Sequence, residues 1–281
     1  MSIVAQPESS ATKGRRAPLA FEVVSSDRLT RHIQRVVLGS RQFGEFARRF
    51  GGFTDSYVKL VFLVDGVDYP DPLDLDVVRG SYPPEAQPVV RTYTLRRIDV
   101  EHGRITIDFV VHGDSGVAGP WAVRAVPGDV LHLTGPGGAY APDPSAAWHL
   151  LAGDEAALPA IQAALEAMPA GARVHAYVEV DGPEDEQPVV SEADVTLTWL
   201  HRDGAPAGTT TLLADAVRAH DWAAGEPHVF VHGECGLLKQ LRSYLLHERG
   251  VPRERLSLSG YWRCGETEEG FRAWKSAQPK V

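Results

Sequence analysis

The patterning of this chain changes once, at Gly135-Pro136-Gly137-Gly138 and the Ala141-Pro142-Asp143-Pro144 that follows, and this break constrains the fold more than any other feature. Upstream of it, short apolar runs recur at residues 21–25, 33–38, 57–64, 90–97, 104–111 and 129–134. Ile105, Ile107, Phe109 and Val111 fall on one face of the fifth run, the alternation of a half-buried strand. Turn residues separate the runs, among them Asp65-Gly66, His102-Gly103 and Pro127-Gly128-Asp129. Many short strands so spaced predict a small antiparallel barrel, with an amphipathic piece at 43–50 over one end.

Downstream, strands expected at 148–152, 173–180, 195–200, 229–232 and 256–259 alternate with helices expected at 154–168, 210–220 and 236–249. Such alternation implies an α/β domain with a doubly wound, largely parallel sheet. Ligands of such sheets bind beyond the carboxyl ends of the strands, which points to Gly153-Asp154-Glu155 and Gly233-Glu234-Cys235. The expected organisation is a polar tail at 1–17, a barrel domain at 18–142 and an α/β domain at 143–281. The start carries Lys13, Arg15 and Arg16 without an adjacent apolar block, so the tail is read as frayed rather than as a secretory signal.

The totals exclude several classes. A net charge of −9 argues against general nucleic-acid binding. No apolar run approaches the roughly 18 residues of a membrane helix. The two cysteines, Cys235 and Cys264, fit a reducing cytoplasm and cannot supply the usual ligands of an iron–sulfur cluster. An electron carrier here must be an organic cofactor.

One strand carries a more specific signal. In Arg91-Thr92-Tyr93-Thr94-Leu95-Arg96, Arg91 and Tyr93 lie two apart and share a face. A guanidinium grips a diphosphate bidentately and a phenol ring stacks on a flat ligand. Thr94 projects the other way unless the strand bends. Gly116-Val117-Ala118-Gly119-Pro120-Trp121 then offers a tight turn or helix start whose N–H groups can face an anion, with the covering helix expected from Trp121. The combination suits a flavin dinucleotide. Asp108 is either a ladder residue or a ligand contact, and His112 either caps its strand or touches the ligand.

These segments, with Asp108-Phe109-Val110-Val111-His112-Gly113, Ala152-Gly153-Asp154-Glu155-Ala156-Ala157-Leu158-Pro159-Ala160, Val231-His232-Gly233-Glu234 and Gly260-Tyr261-Trp262-Arg263, follow an order that resembles the siderophore-interacting proteins. The resemblance spans residues 21–274. It implies a ferredoxin-reductase-like fold, a Greek-key FAD-binding barrel before an NAD(P)-binding domain, and reduction of ferric siderophores. It further implies that Arg91, Tyr93 and Thr94 contact FAD and that Asp108, Phe109, Val110 and His112 line it. Ala118, Gly119 and Pro120 would surround the pyrophosphate. Asp154, Glu155 and Ala157 would sit near flavin and nicotinamide, and Gly233 and Glu234 on the nucleotide side. Two positions depart from the family pattern. Thr92 replaces a proline without expected consequence, and Gly119 replaces a serine or threonine, which removes a hydroxyl donor and predicts weaker FAD binding.

A flavin mediates between a two-electron nicotinamide and one-electron ferric iron. Family resemblance and position suggest Lys59, Arg124 and Arg263 as a basic set, which either lines the opening for an anionic iron chelate or is three solvated cations. Arg202 follows a strand and stands either as an anchor for a 2′-phosphate or as an exposed cation; Lys239 and Arg242 lie nearby on a helix. No resident metal or nucleic-acid partner is expected, and the chain is read as a cytoplasmic monomer. The alternatives are a general flavin or oxygenase-partner reductase and a non-enzymatic siderophore carrier.

Overall fold

The computed structural model describes residues 17–114 and 116–277, so the expected tail lies almost wholly outside the described residues. The first domain is a seven-stranded antiparallel sheet built from β1 (Leu19–Arg28), β2 (Ile33–Gly39), β3 (Tyr57–Phe62), β4 (Val89–Thr94), β5 (Arg97–Asp99), β6 (Arg104–Val110) and β7 (Val130–Gly137). Its spatial order, β4-β3-β7-β1-β2-β6-β5, curls until β4 packs near β6. The alternation seen in the sequence explains the closure, because Ile105, Ile107 and Phe109 of β6 are fully buried with Phe21, Val36, Leu60 and Leu133 from other strands. Helix α1 (Phe43–Ala47) closes one end by driving Phe43 and Phe46 into that core. Helix α3 (Ala118–Arg124) lies over β1, β2 and β6, and its Trp121 meets Phe62 and Phe109.

The second domain is a five-stranded parallel sheet in the order β10-β9-β8-β11-β12. Its strands are β8 (Trp148–Asp154), β9 (Arg173–Val180), β10 (Asp194–His201), β11 (Pro227–Glu234) and β12 (Leu256–Trp262). β8 and β11 are buried at every position, as central strands covered on both faces must be. Helix α4 (Leu158–Ala167) covers one face, and α5 (Leu212–Ala219) and α6 (Cys235–Ser243) cover the other.

Several boundaries differ from expectation for local reasons. The run at 90–97 is two strands, because β4 stops at Thr94, where Leu95 turns inward and donates its N–H to the Ser56 carbonyl. The helix expected from 154 begins at Leu158, since the Asp154 carboxylate caps the preceding turn through Ala156 and Ala157. The helix expected at 236–249 ends as α6 and continues as a π-helical turn, Tyr244–Glu248. Helix α3 starts at Ala118 rather than at Trp121. Helix α2 (Leu75–Ser81), capped by Asp74, and helix α7 (Glu268–Ala277) were not anticipated.

Candidate functional site

The two domains meet where β4 ends. Thr94 is buried there, and the side chain of Tyr261, from β12 of the second domain, lies beside it. Burial pushes the Tyr261 hydroxyl far up, so it remains protonated. His232 Nδ1 lies 3.1 Å from that hydroxyl, and its Nε2 lies 2.9 Å from Ser257 Oγ. A partly buried series of polar groups, Ser257, His232 and Tyr261, thus leads from β12 toward the end of the barrel's Arg-Tyr-Thr segment.

Arg91 and Tyr93 occupy the same strand. The Tyr93 ring packs 4.6 Å from Phe109, and burial raises its hydroxyl well above the usual phenol range. Arg91 Nη1 bonds the Glu269 carboxylate, and its Nε lies 3.8 Å from Glu268. Glu268 also accepts the Thr92 N–H and hydroxyl, each at 3.0 Å. The acidic first turn of α7 therefore lies on the strand that carries the expected diphosphate anchor. Nothing in the spacing of the two segments foretold this contact.

The first turn of α3 holds Ala118, Gly119 and Pro120 against the end of β6. A Cβ on Gly119 would come 3.3 Å from the Val110 carbonyl oxygen, so this close approach favours glycine. Val117 stands at the N-cap and has no side-chain acceptor, which leaves the first N–H groups uncapped by it. Val110 is half-buried and His112 exposed beside this turn. Phe109 lies wholly inside the barrel, beneath Tyr93, rather than on a ligand-facing surface. The Asp108 carboxylate is taken by Arg35, its cross-strand neighbour, through two bonds of 2.7 Å.

At the carboxyl edge of the parallel sheet, Asp154 gathers four donors. Its carboxylate accepts from Ala156 N, Ala157 N, Glu234 N at 2.9 Å and Trp262 Nε1 at 2.8 Å. Burial raises its pKa to about 6 despite those donors. Gly233 has φ +139°, and a Cβ there would sit 2.7 Å from the Asp154 carboxyl carbon, so this position requires glycine. Glu155 points elsewhere. It bonds Arg202 Nη2 at 3.0 Å, and burial raises its pKa while the guanidinium opposes the rise. Arg202 is not the exposed cation that its place after a strand allowed, because its side chain is 5% exposed and a second carboxylate, Glu179, lies 3.8 Å from Nη1.

The proposed basic set is not bonded into one cluster among the described residues. Lys59 is exposed on β3 directly across from Thr92. Arg263 lies 4.9 Å from the Trp274 ring of α7, so it and Lys59 both lie near that helix. Arg124 is exposed at the last turn of α3. Among the described residues, His32, Glu155 and Asp185 bring possible metal-ligand atoms within 4.8 Å of one another. Asp185 is held by His32 at 2.8 Å, a contact that ties the barrel to the second domain, and Glu155 is paired with Arg202 within that domain.

Both halves of the chain match known families. A siderophore-interacting FAD-binding domain matches residues 22–140, and the siderophore-interacting protein domain matches residues 146–265. An uncharacterized protein of Mycobacterium tuberculosis is 48% identical over 91% of this chain and 94% of its own length. The ferric vibriobactin reductase of Vibrio cholerae is 37% identical over 67% of this chain and 69% of its own. The crystal structure of a siderophore utilization protein from T. fusca superposes with a TM-score of 0.75 at 36% identity, covering 89% of this chain and 94% of that one. The two-domain arrangement is ferredoxin-reductase-like. Among the described residues, no helix is long and apolar enough to cross a membrane.

Proposed function

The chain belongs to the siderophore-interacting protein family, and from that premise we propose that it is an FAD-dependent reductase that passes electrons from a nicotinamide nucleotide to a ferric siderophore, releasing Fe(II) in the cytoplasm. The observation that carries the reading is the meeting at Thr94, where the barrel's Arg-Tyr-Thr strand and the carboxyl edge of the parallel sheet come together.

The residues present fit an FAD. The first turn of α3 has N–H groups without a side-chain cap, pressed by Gly119 against β6, and Arg91 adds a cation on the neighbouring strand. On this reading Ala118 and Gly119 hold the diphosphate through backbone donors and Arg91 shares its guanidinium between that group and the α7 carboxylates. Tyr93 borders the ring system, and Thr94 lies beside Tyr261 at the domain junction. The chemistry FAD supplies when bound is the splitting of a hydride's two electrons into single transfers. The protein's own part is positioning and electrostatics, with no side chain acting as acid, base or nucleophile. Two ferric ions are reduced for each nicotinamide oxidised. Lower charge on the metal weakens its hold on hard anionic oxygen ligands.

Lys59, Arg124 and Arg263 supply positive charge to the chelate's side. The test is a triple charge reversal at these positions. FAD content should be unchanged, while reduction of anionic ferric catecholates should slow at least tenfold and lose its dependence on ionic strength. Equal rates in parent and variant would remove these residues from the reading.

A further inference from the structure

The edge of β4 carries an anion cradle that the chain itself occupies. β4 stands at one end of the strand order in the barrel sheet, and its ladder sets Thr92 opposite Lys59 of β3. The Thr92 N–H is left over by that ladder and donates to Glu268 at 3.0 Å, as does the Thr92 hydroxyl. Beside it, Arg91 Nη1 bonds the Glu269 carboxylate and Nε lies 3.8 Å from Glu268. A backbone donor, a hydroxyl and a guanidinium thus converge on two carboxylates. A diphosphate presents its anionic oxygens to the same kinds of donor.

Helix α7 reaches this cradle from the second domain. Phe271 is buried, and a Cβ on Gly260 of β12 would lie 3.5 Å from its ring. Arg263 and Lys239 stand over the Trp274 ring at 4.9 and 5.6 Å. The aromatic side of α7 is therefore seated on its own domain, while its acidic first turn crosses to the barrel. The crossing contact lies where it can be exchanged. Thr92 is exposed and the Glu269 side chain is 56% exposed, and ion pairs so placed hold little free energy. A diphosphate brought to Arg91 with both carboxylates still in place would meet two like charges, which is unfavourable.

We propose that the acidic first turn of α7 is an autoinhibitory plug: Glu268 and Glu269 hold the Arg91–Thr92 cradle until the diphosphate of FAD displaces them. Arg91 is then shared in turn, by the carboxylates before FAD loads and by the diphosphate afterwards. The inference rests on the FAD-dependent reading given above. By linkage, whatever affinity the plug takes from FAD returns as a loosened α7 when FAD binds. The test titrates FAD into the flavin-free full-length protein, followed by quenching of flavin fluorescence. Amide hydrogen exchange in α7 is then compared with and without saturating FAD. Glu268→Gln with Glu269→Gln keeps the side-chain shapes and removes the charge, so its Kd for FAD should be about tenfold lower than the parent's. In the parent, FAD should raise exchange in α7 by about tenfold. Thermal melts confirm that the variant is folded, and the exchange arm, which uses the parent alone, decides the matter if it is not. An equal or higher Kd in the folded variant, or α7 protection that FAD leaves unchanged or increases, would overturn the plug while leaving FAD binding intact. Failure of FAD to bind either protein would overturn the flavin reading itself, and the plug with it.

Discussion

Replacing Arg202 by methionine tests whether this residue belongs to the folded interior or to a ligand site. Its side chain is 5% exposed and that of Glu155 8%, with 3.0 Å between Nη2 and Oε2. Glu179 lies 3.8 Å from the same guanidinium. Methionine fills much of the volume but leaves two buried carboxylates without their cation. Removing one partner of a buried pair costs about 3–5 kcal/mol, whereas an exposed pair is worth about 0–1 kcal/mol. The sign of the pH dependence follows from Glu155, whose pKa burial raises and Arg202 lowers. Without Arg202 that pKa rises further, so the variant loses stability as pH rises through it and the deficit is larger at pH 8 than at pH 5. Adding Glu155→Gln should recover part of the loss. Urea unfolding followed by tryptophan fluorescence at both pH values measures this. A deficit below about 1 kcal/mol, equal at the two pH values, would show that Arg202 is solvated and available to a phosphate, contrary to the geometry.

Three other outcomes are expected. Burial raises the Asp154 pKa to about 6, above its ordinary 3.8. Its protonated form therefore stabilises the fold below about pH 4, and that contribution of about 3 kcal/mol is lost as pH rises through 6. Relative to Asp154→Asn, the parent should lose stability between pH 4 and pH 7, and parallel urea profiles would contradict this. Gly233→Ala should cost about 2–4 kcal/mol in the same assay, because φ is +139° and its Cβ would strike the Asp154 carboxylate; a loss under about 0.5 kcal/mol would mean the turn relaxes freely. Glu268→Gln with Glu269→Gln removes the carboxylates that bind Arg91 and Thr92. Amide hydrogen exchange in α7 should then rise by about tenfold, and unchanged protection would show that Phe271 and Trp274 dock the helix alone.

Local patterns carried much of the architecture into the sequence. Period-two alternation in β6 and the buried runs of β8 and β11 follow directly from which faces meet a core. The change from antiparallel to parallel strands and both glycine positions at the sheet edge were also legible. What was not legible depends on partners distant in sequence. Asp108 stayed open between a ladder residue and a ligand contact because nothing local announces Arg35 across the strand pair. Arg202 read either as a 2′-phosphate anchor or as an exposed cation because its burial is set by Glu155, 47 positions earlier. Helix α7 was missed because it begins near Gly265, contains Gly270 and has its acidic turn docked on a strand 176 residues away.

The central claim is that this barrel holds a flavin that is reduced from one side and delivers single electrons to a docked ferric chelate on the other. Anaerobic stopped-flow spectroscopy of the FAD-reconstituted protein tests it most directly. The account predicts that the yellow absorbance bleaches with NADH or NADPH and returns on mixing with a ferric siderophore, with two Fe(II) trapped by ferrozine for each flavin. A protein that binds the ferric chelate yet leaves the reduced flavin bleached, or that takes up no FAD, would contradict it.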